Sequence, residues 1–248
     1  MYRVHCYNIY RKLQKLIIPY LVYSQQVYAD IIKKYANNFP VWLDIGCGHQ
    51  LFEPSHFDKE VEFVKTSRLS FGLDLDFDSI KNHKTIKYKV RANINNIPFK
   101  DSSFDFITAN MVVEHLKDTF LQLLEIKRVL KHDGYFIFHT PNLYGYKTII
   151  AKLIPYLLKK RLIYFTQQRR EEDVYRTYYK MNSASKIKEV SESIGFDVQE
   201  INMLTSTADL YMFPPLVLFE LFWIKCLTSD KLKYLRTNMV VVFKNRKQ

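Results

Sequence analysis

The chain has 248 residues, 48% of them apolar, which is enough for one substantial α/β core with additions and shows no low-complexity or repeat character. Three widely separated cysteines, Cys6, Cys47 and Cys226, carry neither a disulfide framework nor a metal-ligand spacing, so a reducing cytoplasm is the expected compartment. Thirty-seven Lys and Arg against twenty-five Asp and Glu leave a net charge of +12. That balance favours anionic partners such as nucleic acid, an acidic membrane face or phosphorylated glycans, although lysines spread along the whole chain also describe a plain solvated surface.

Between Tyr7 and about Tyr35 apolar residues recur at helical spacing (Leu13, Leu16, Ile17, then Val27, Ile31, Ile32), which predicts two helices broken at Pro19. Arg11, Lys12 and Lys15 interrupt the first of them, unlike a secretory signal. Val41-Trp42-Leu43 then runs as a buried parallel strand through Asp44 into Gly46 and Gly48. Both glycines can take positive φ and lack a Cβ, so a ligand can lie against the main-chain N–H groups of the turn. A dinucleotide fold needs a third glycine where Leu51 stands, and no Gly-Lys-Ser or Gly-Lys-Thr follows for a P-loop. What remains suits a ligand with an amino acid head and a nucleoside tail, or else is a plain tight turn. Asp44-Ile45-Gly46-Cys47-Gly48 resembles motif I of the class I S-adenosylmethionine-dependent methyltransferases.

A second strand, Arg68 to Asp76, ends in acids. Asp74 stands somewhat beyond the ~20 residues after the turn expected for a carboxylate that grips both hydroxyls of a ribose. Thr85 to Arg91 alternates as a third strand. The resemblance then places Asn93, four residues before Ile97-Pro98-Phe99, where the family has an Asp facing the adenine amino group; the amide oxygen still accepts there, without charge. Ser103-Phe104-Asp105 opens strand four in the family manner, and Asn110 at its end borders the methionine end of the cofactor.

A helix is expected from about Leu116 to Lys131, with Leu116, Phe120, Leu123 and Leu130 on one face. Glu114-His115 before it has two readings, a pair that orients substrate or metal and a hydrogen-bonded pair that fixes the strand-to-helix turn. Ubiquinone-biosynthesis O-methyltransferases, which this stretch resembles, carry Glu-x-x-Glu-His here for a divalent metal; Met111 replaces the first Glu, and no metal is expected. Lys127 to Gly134 resembles the family's Arg-Val-Leu-x-x-Gly-Gly turn, with Asp133 in the first Gly place, ahead of a fifth strand from Tyr135 to Asn142. Gly46, Gly48, Gly72 and Gly134, four of the six glycines, stand at matching family positions.

Residues 143–181 depart from the minimal fold, with a basic amphipathic stretch from Lys147 to Phe165 and the run Arg169 to Asp173. They are expected to form a lid over the carboxyl edge of the sheet or a peripheral helix pair. Asn182-Ser183 caps a helix that stops at Gly195, and Phe196 to Met203 forms strand six. The apolar run Asp209 to Leu227, around Pro214-Pro215, is interrupted by Glu220 and Lys225 and is short of the ~20 residues of a spanning helix. Core or dimer face is its expected fate, with a membrane surface as the third option. Asn238 to Lys244 closes the chain as a seventh strand.

The resemblance implies an α/β, doubly wound, Rossmann-like sheet of seven mostly parallel strands with the last antiparallel, in a single methyltransferase domain. Its segments are a helical arm (1–39), a cofactor-binding core (40–142), a lid (143–181) and a C-terminal completion with an apolar helix (182–248). It implies S-adenosylmethionine as cofactor, held by Asp44, Gly46, Cys47, Gly48, Asp74, Leu75, Asn93, Ile94 and Asn110. His115, Glu114 and His139 are the candidates for taking a proton from an acceptor, and Tyr144, Tyr146, Tyr175 and Tyr178 for shaping its pocket. Strand four ends without Asn-Pro-Pro-Tyr or Asp-Pro-Pro-Tyr and no Pro-Cys pair occurs, so nucleic-acid substrates are disfavoured. Trp42 to His49, Thr140-Pro141-Asn142 and Asp173 to Asn182 look like bacterial methyltransferases of cell-surface polysaccharide synthesis, which implies O-methylation of a sugar hydroxyl. The alternatives are a quinone or other lipid-soluble small molecule as acceptor, and a non-catalytic basic adaptor on membrane or RNA. Expected partners are a small-molecule or glycan acceptor, peripheral contact with the inner membrane face and a second copy of the chain.

Overall fold

The computed structural model describes residues 2–36, 40–52, 56–154 and 175–246. They group into two compact units. One takes Met1–Ser24, Asn142–Arg176 and Met203–Asn238, and the other Gln25–Pro141, Thr177–Asn202 and Met239–Gln248.

In chain order the elements are α1 (Tyr2–Ile17), α2 (Ser24–Tyr35), β1 (Val41–Ile45), α3 (Phe57–Thr66), β2 (Leu69–Asp74), α4 (Phe77–Lys81), β3 (Tyr88–Arg91) and β4 (Phe104–Asn110). There follow α5 (Thr119–Val129), β5 (Leu130–Pro141), α6 (Tyr146–Leu153), α7 (Ala184–Ile194), β6 (Phe196–Leu204), α8 (Pro214–Leu227) and β7 (Asn238–Asn245). The seven strands form one sheet in the order β3-β2-β1-β4-β5-β7-β6, mostly parallel, with the chain's last strand antiparallel. The chain leaves β1 outward through β2 and β3, then returns to the other flank of β1 as β4. This reversal opens a crevice at the carboxyl ends of β1 and β4, where open α/β sheets bind ligands.

The centre of the sheet is buried because its strands are mostly apolar on both faces, while the edge strand β3 is exposed. Trp42, Leu43, Ile107, Phe136, Ile137, Phe138 and the run Met239 to Phe243 are all without solvent contact. At ~25 cal/mol per Å², each such aromatic or aliphatic side chain contributes roughly 1.5–3 kcal/mol, so a polar residue kept among them needs a bonding partner.

Several boundaries differ from expectation. α5 stops at Val129, and β5 begins at Leu130, opposite Phe104, rather than at Tyr135. The register with β4 shifts between Phe104 and Phe106, and Asp133 takes φ 60 there, so the expected turn is an irregularity inside the strand. Leu130 is accordingly a buried strand residue, while Phe120 is half-exposed and does not share the buried face of Leu123. Leu16 of α1 is exposed too. The cap of α7 is Ser183 alone, accepting from the Lys186 amide, and Gly195 ends the helix at φ 80. Asn182 instead donates to Thr140 Oγ1 at 2.7 Å and to the Pro141 carbonyl at 2.9 Å.

In the other unit, α1 and α8 share a core of Tyr10, Ile18, Ala208, Val217, Leu221 and Ile224. Glu220, which interrupts the apolar run in sequence, is buried, because it accepts from Tyr146 Oη (2.8 Å) and from the amides of Asp209 and Leu210. Of the expected lid, α6 is described, whereas most of the basic stretch to Phe165 and all of Arg169 to Asp173 lie outside the described residues.

Candidate functional site

The carboxyl ends of β1, β2 and β4 meet around the glycine turn. Gly46 N and Cys47 N both donate to the Leu73 carbonyl, at 2.7 and 3.2 Å, which ties the turn to β2. Gly46 has φ 65, and a Cβ on it would meet Val112 Cγ2 at 2.4 Å; here the missing side chain is needed for packing. Gly48 differs: it has φ 51, and no atom lies within 4 Å of the place its Cβ would take. That open space beside exposed backbone is the cradle.

Asp74 closes one side of it. Its Oδ2 accepts from Gly48 N at 2.8 Å and its Oδ1 from Asp76 N at 2.9 Å, so the carboxylate bridges the ends of β1 and β2. Each oxygen keeps a second lone pair for a vicinal diol. Leu75, the next residue, is 56% exposed and offers an apolar surface to a flat ring. Cys47 contributes backbone only: its thiol is buried against Gly72, and burial, with the Asp44 and Asp74 charges, pushes its pKa well up.

Asp44 lies beneath the turn, fully buried, where Thr108 Oγ1 donates to its Oδ1 at 2.6 Å and Trp42 Nε1 donates to the same hydroxyl at 2.8 Å. Burial pushes its carboxyl well above the usual carboxylate range, and the Glu60 and Asp74 charges push the same way against the Thr108 bond. Glu60, also fully buried, accepts from the amides of Leu51 and Phe52 at 2.9 and 3.2 Å and from Thr85 Oγ1. Two carboxylates thus support the turn from behind while Asp74 faces outward.

Asn93 is exposed, but its Oδ1 already accepts from the Asn95 amide at 3.0 Å as an Asx turn. An Asp in that place would cap the turn with one oxygen and turn the other toward an adenine amino group. Asn93→Asp is therefore expected to tighten S-adenosylhomocysteine binding by roughly 3- to 10-fold, about one charge-assisted hydrogen bond, in calorimetric titration. Ile94 follows, partly buried.

At the other end of the crevice Asn110 is held on three sides. Its Nδ2 donates to the Leu51 carbonyl at 2.9 Å, and its amide pairs with that of Gln25 at 3.3 and 3.4 Å. Because a carbonyl only accepts, Oδ1 must face His139 Nδ1 at 2.9 Å, which places the proton on Nδ1. His139 is fully buried, stacks on Tyr28 at 5.6 Å, and is held neutral, its pKa pushed down to about 3 by burial. The expectation that His139 could take a proton from an acceptor is corrected here: it orients Asn110.

Glu114 is corrected in the same way. It is buried, its Oε2 accepts from Thr140 Oγ1 at 3.0 Å, and its carbonyl accepts from the amides of Tyr178 and Tyr179. It fixes the 113–115 turn through Thr140 rather than through a hydrogen bond to His115. His115, with 29% of its side chain exposed and Nε2 4.0 Å from Glu114 Oε1, is the member of the trio that reaches solvent. Tyr178 is in the same unit as these residues, whereas Tyr144, Tyr146 and Tyr175 belong to the other. Among the described residues no group of three His, Cys, Asp or Glu is placed to hold a metal.

A cavity of about 450 Å³ lies at the opposite, amino-terminal edge of the strands, by Lys34, Asp105, Lys131 and Tyr135. Its charges are already paired, Lys131 with Asp105 and Lys34 with Glu200, and it has no part in the glycine-turn site.

Gln25, Glu60 and Thr108 had escaped sequence reading. Thr108 alone leaves a trace, a lone hydroxyl inside an apolar strand, while Gln25 and Glu60 look like ordinary polar positions of amphipathic helices.

The open space at Gly48, the outward Asp74 carboxylate and exposed Leu75 fit the nucleoside of S-adenosylmethionine, and the anchored Asn110 fits its amino acid end. Residues 43–138 match the family model described as a methyltransferase domain. The fold superposes on YcgJ of Bacillus subtilis with a TM-score of 0.57 at 16% identity, covering 90% of this chain and 99% of that one. A SAM-dependent methyltransferase from Aquifex aeolicus gives 0.52 at 14% identity, over 95% and 98%. By sequence the chain is 35% identical over 112 residues to the mitochondrial arginine-hydroxylase NDUFAF5 of Danio rerio, 44% of this chain and 33% of that one. The chain spans between a third and about half of the length of the first curated relatives it matches. Residues 43–138 are accordingly a methyltransferase domain of the class I, S-adenosylmethionine-dependent fold.

Proposed function

We propose that the protein transfers a methyl group from S-adenosylmethionine to a hydroxyl of a small molecule or glycan, a sugar of cell-surface polysaccharide synthesis being the preferred acceptor. The observation that carries the cofactor half of this reading is the open approach to the Gly48 backbone beside the Asp74 carboxylate. The acceptor half rests on the resemblance of Trp42 to His49, Thr140-Pro141-Asn142 and Asp173 to Asn182 to glycan methyltransferases.

When bound, S-adenosylmethionine supplies an electrophilic methyl on a sulfonium. The chain's part is to hold donor and acceptor in line, which can account for much of the acceleration, and to receive a proton. Asn110, locked by Gln25, Leu51 and His139, orients the amino acid end. His115 takes the hydroxyl proton as the C–O bond forms and the S–C bond breaks. Glu114, pinned by Thr140, sets the turn that aims His115.

The test is a screen of nucleotide sugars and lipid-linked glycans with S-adenosylmethionine, read as S-adenosylhomocysteine release and product mass. A gain of one CH₂ supports methyl transfer; a gain of one oxygen would bring the hydroxylase activity named for the NDUFAF5 relative to the fore. His115→Asn is expected to lower kcat by roughly 10²–10⁴ with S-adenosylhomocysteine affinity unchanged. An unaltered kcat removes His115 as the base. Turnover of quinols with none of sugars would move the acceptor to the lipid-soluble alternative.

A further inference from the structure

α8 is apolar around most of its circumference, and among the described residues one side of it is covered. Val217, Leu221 and Ile224 are buried with Tyr10 and Ile18, while Leu216, Phe219, Phe222 and Trp223 are 47, 74, 56 and 39% exposed. A helix facing water ordinarily carries charge on that face, and four large apolar side chains together mark an interaction surface.

The charge of the same unit says what covers it. On described residues its three segments carry eleven Lys and Arg against three Asp and Glu, eight of the chain's twelve excess positive charges. The other unit is nearly neutral, so the even spread seen along the sequence does not survive folding. Of the three acids on described residues of this unit, Glu220 is buried and hydrogen-bonded, Asp209 is paired with Lys147 at 2.8 Å, and Asp230 is exposed with Arg236 3.9 Å away. Lys225 sits on α8 itself, and Lys231 and Lys233 follow in the adjoining 230–235 turn. A second copy of this surface would meet it with like charge, whereas an anionic bilayer neutralises the lysines and accepts Trp and Phe at its headgroup boundary. No described helix is long and apolar enough to cross a membrane, so the contact is with one face.

We propose that this unit docks on an anionic lipid surface, seating Leu216, Phe219, Phe222 and Trp223 at the acyl boundary while the surrounding Lys and Arg meet the headgroups. The proposal does not depend on the identity of the methyl acceptor.

The full chain would be sedimented with vesicles of phosphatidylcholine alone and of equimolar phosphatidylcholine and phosphatidylglycerol, with brominated acyl chains as a quencher. Trp42 is fully buried, so quenching reports Trp223. Partition roughly tenfold or more stronger onto the anionic vesicles, weakened by salt and accompanied by quenching, is expected. The double variant Phe219→Glu, Phe222→Glu should lose that partition roughly tenfold, with an unchanged thermal melt and unchanged S-adenosylhomocysteine affinity. Equal partition onto both vesicle types, absence of quenching, a dimer that shields Trp223 without lipid binding, or salt-sensitive RNA binding without vesicle binding would each overturn the proposal.

Discussion

Gly48→Ala is expected to give a folded protein that has lost roughly a hundredfold of its affinity for S-adenosylhomocysteine, about 2.7 kcal/mol. No atom lies within 4 Å of the new methyl, so the only internal cost is holding alanine at φ 51, roughly 1–2 kcal/mol and a few degrees of Tm. The methyl instead occupies the space where the ligand would lie against backbone. Gly46→Ala is the contrasting control: its Cβ would stand 2.4 Å from Val112 Cγ2 at φ 65, so stability falls by roughly 2–5 kcal/mol along with binding. The same contact makes Gly46→Arg unsuitable as a test of binding alone. Calorimetry and thermal melts on the two alanine variants separate the effects. Wild-type affinity in Gly48→Ala would mean that no ligand lies on this turn.

Asp44→Asn is expected to stabilise the protein, and increasingly so as pH rises. Burial raises the folded-state pKa of Asp44 above its unfolded value, so the folded chain holds that proton more tightly than the unfolded chain does. The stability associated with that proton is fully present below the ordinary carboxylate pKa and is lost as pH climbs through the raised one. Asparagine never carries the charge and keeps an oxygen for the Thr108 hydroxyl. Variant and wild type should therefore melt together near pH 3–4 and diverge above it, by about 1–3 kcal/mol at neutral pH, the usual scale for a buried polar group. Glu200, pushed down to about 2 by Lys34 and Tyr35 bonds that outweigh its burial, has the opposite dependence but is common to both proteins and cancels in the difference. A gap that does not change with pH would mean that Asp44 is not the strained carboxylate. If S-adenosylhomocysteine affinity falls in the more stable variant, the buried charge is retained for binding at the expense of stability.

The strands and the glycine turn were legible in the sequence because each depends on neighbours in the chain. A run such as Val41-Trp42-Leu43 is apolar on both faces whatever surrounds it, and Gly46, Gly48 and Gly195 announce backbone angles that few other residues take. The end of α5 was misplaced because Leu130 suits either a helix face or a strand, and its pairing with Phe104 decides between them. The roles of His139, Glu114, Glu60 and Gln25 were out of reach for a similar reason: a polar side chain is base, prop or surface according to what it touches, and Asn110, Thr140 and the Leu51 amide are brought to them only by the fold. Charge shows the contrast most plainly. Its sum is a property of composition, but its concentration in the unit that exposes Phe219 and Trp223 arises because three segments, far apart along the chain, fold together. Local geometry and total charge thus belong to the sequence, while burial, partnership and the place where charge meets apolar surface belong to the tertiary structure, since each is set by residues distant in the chain.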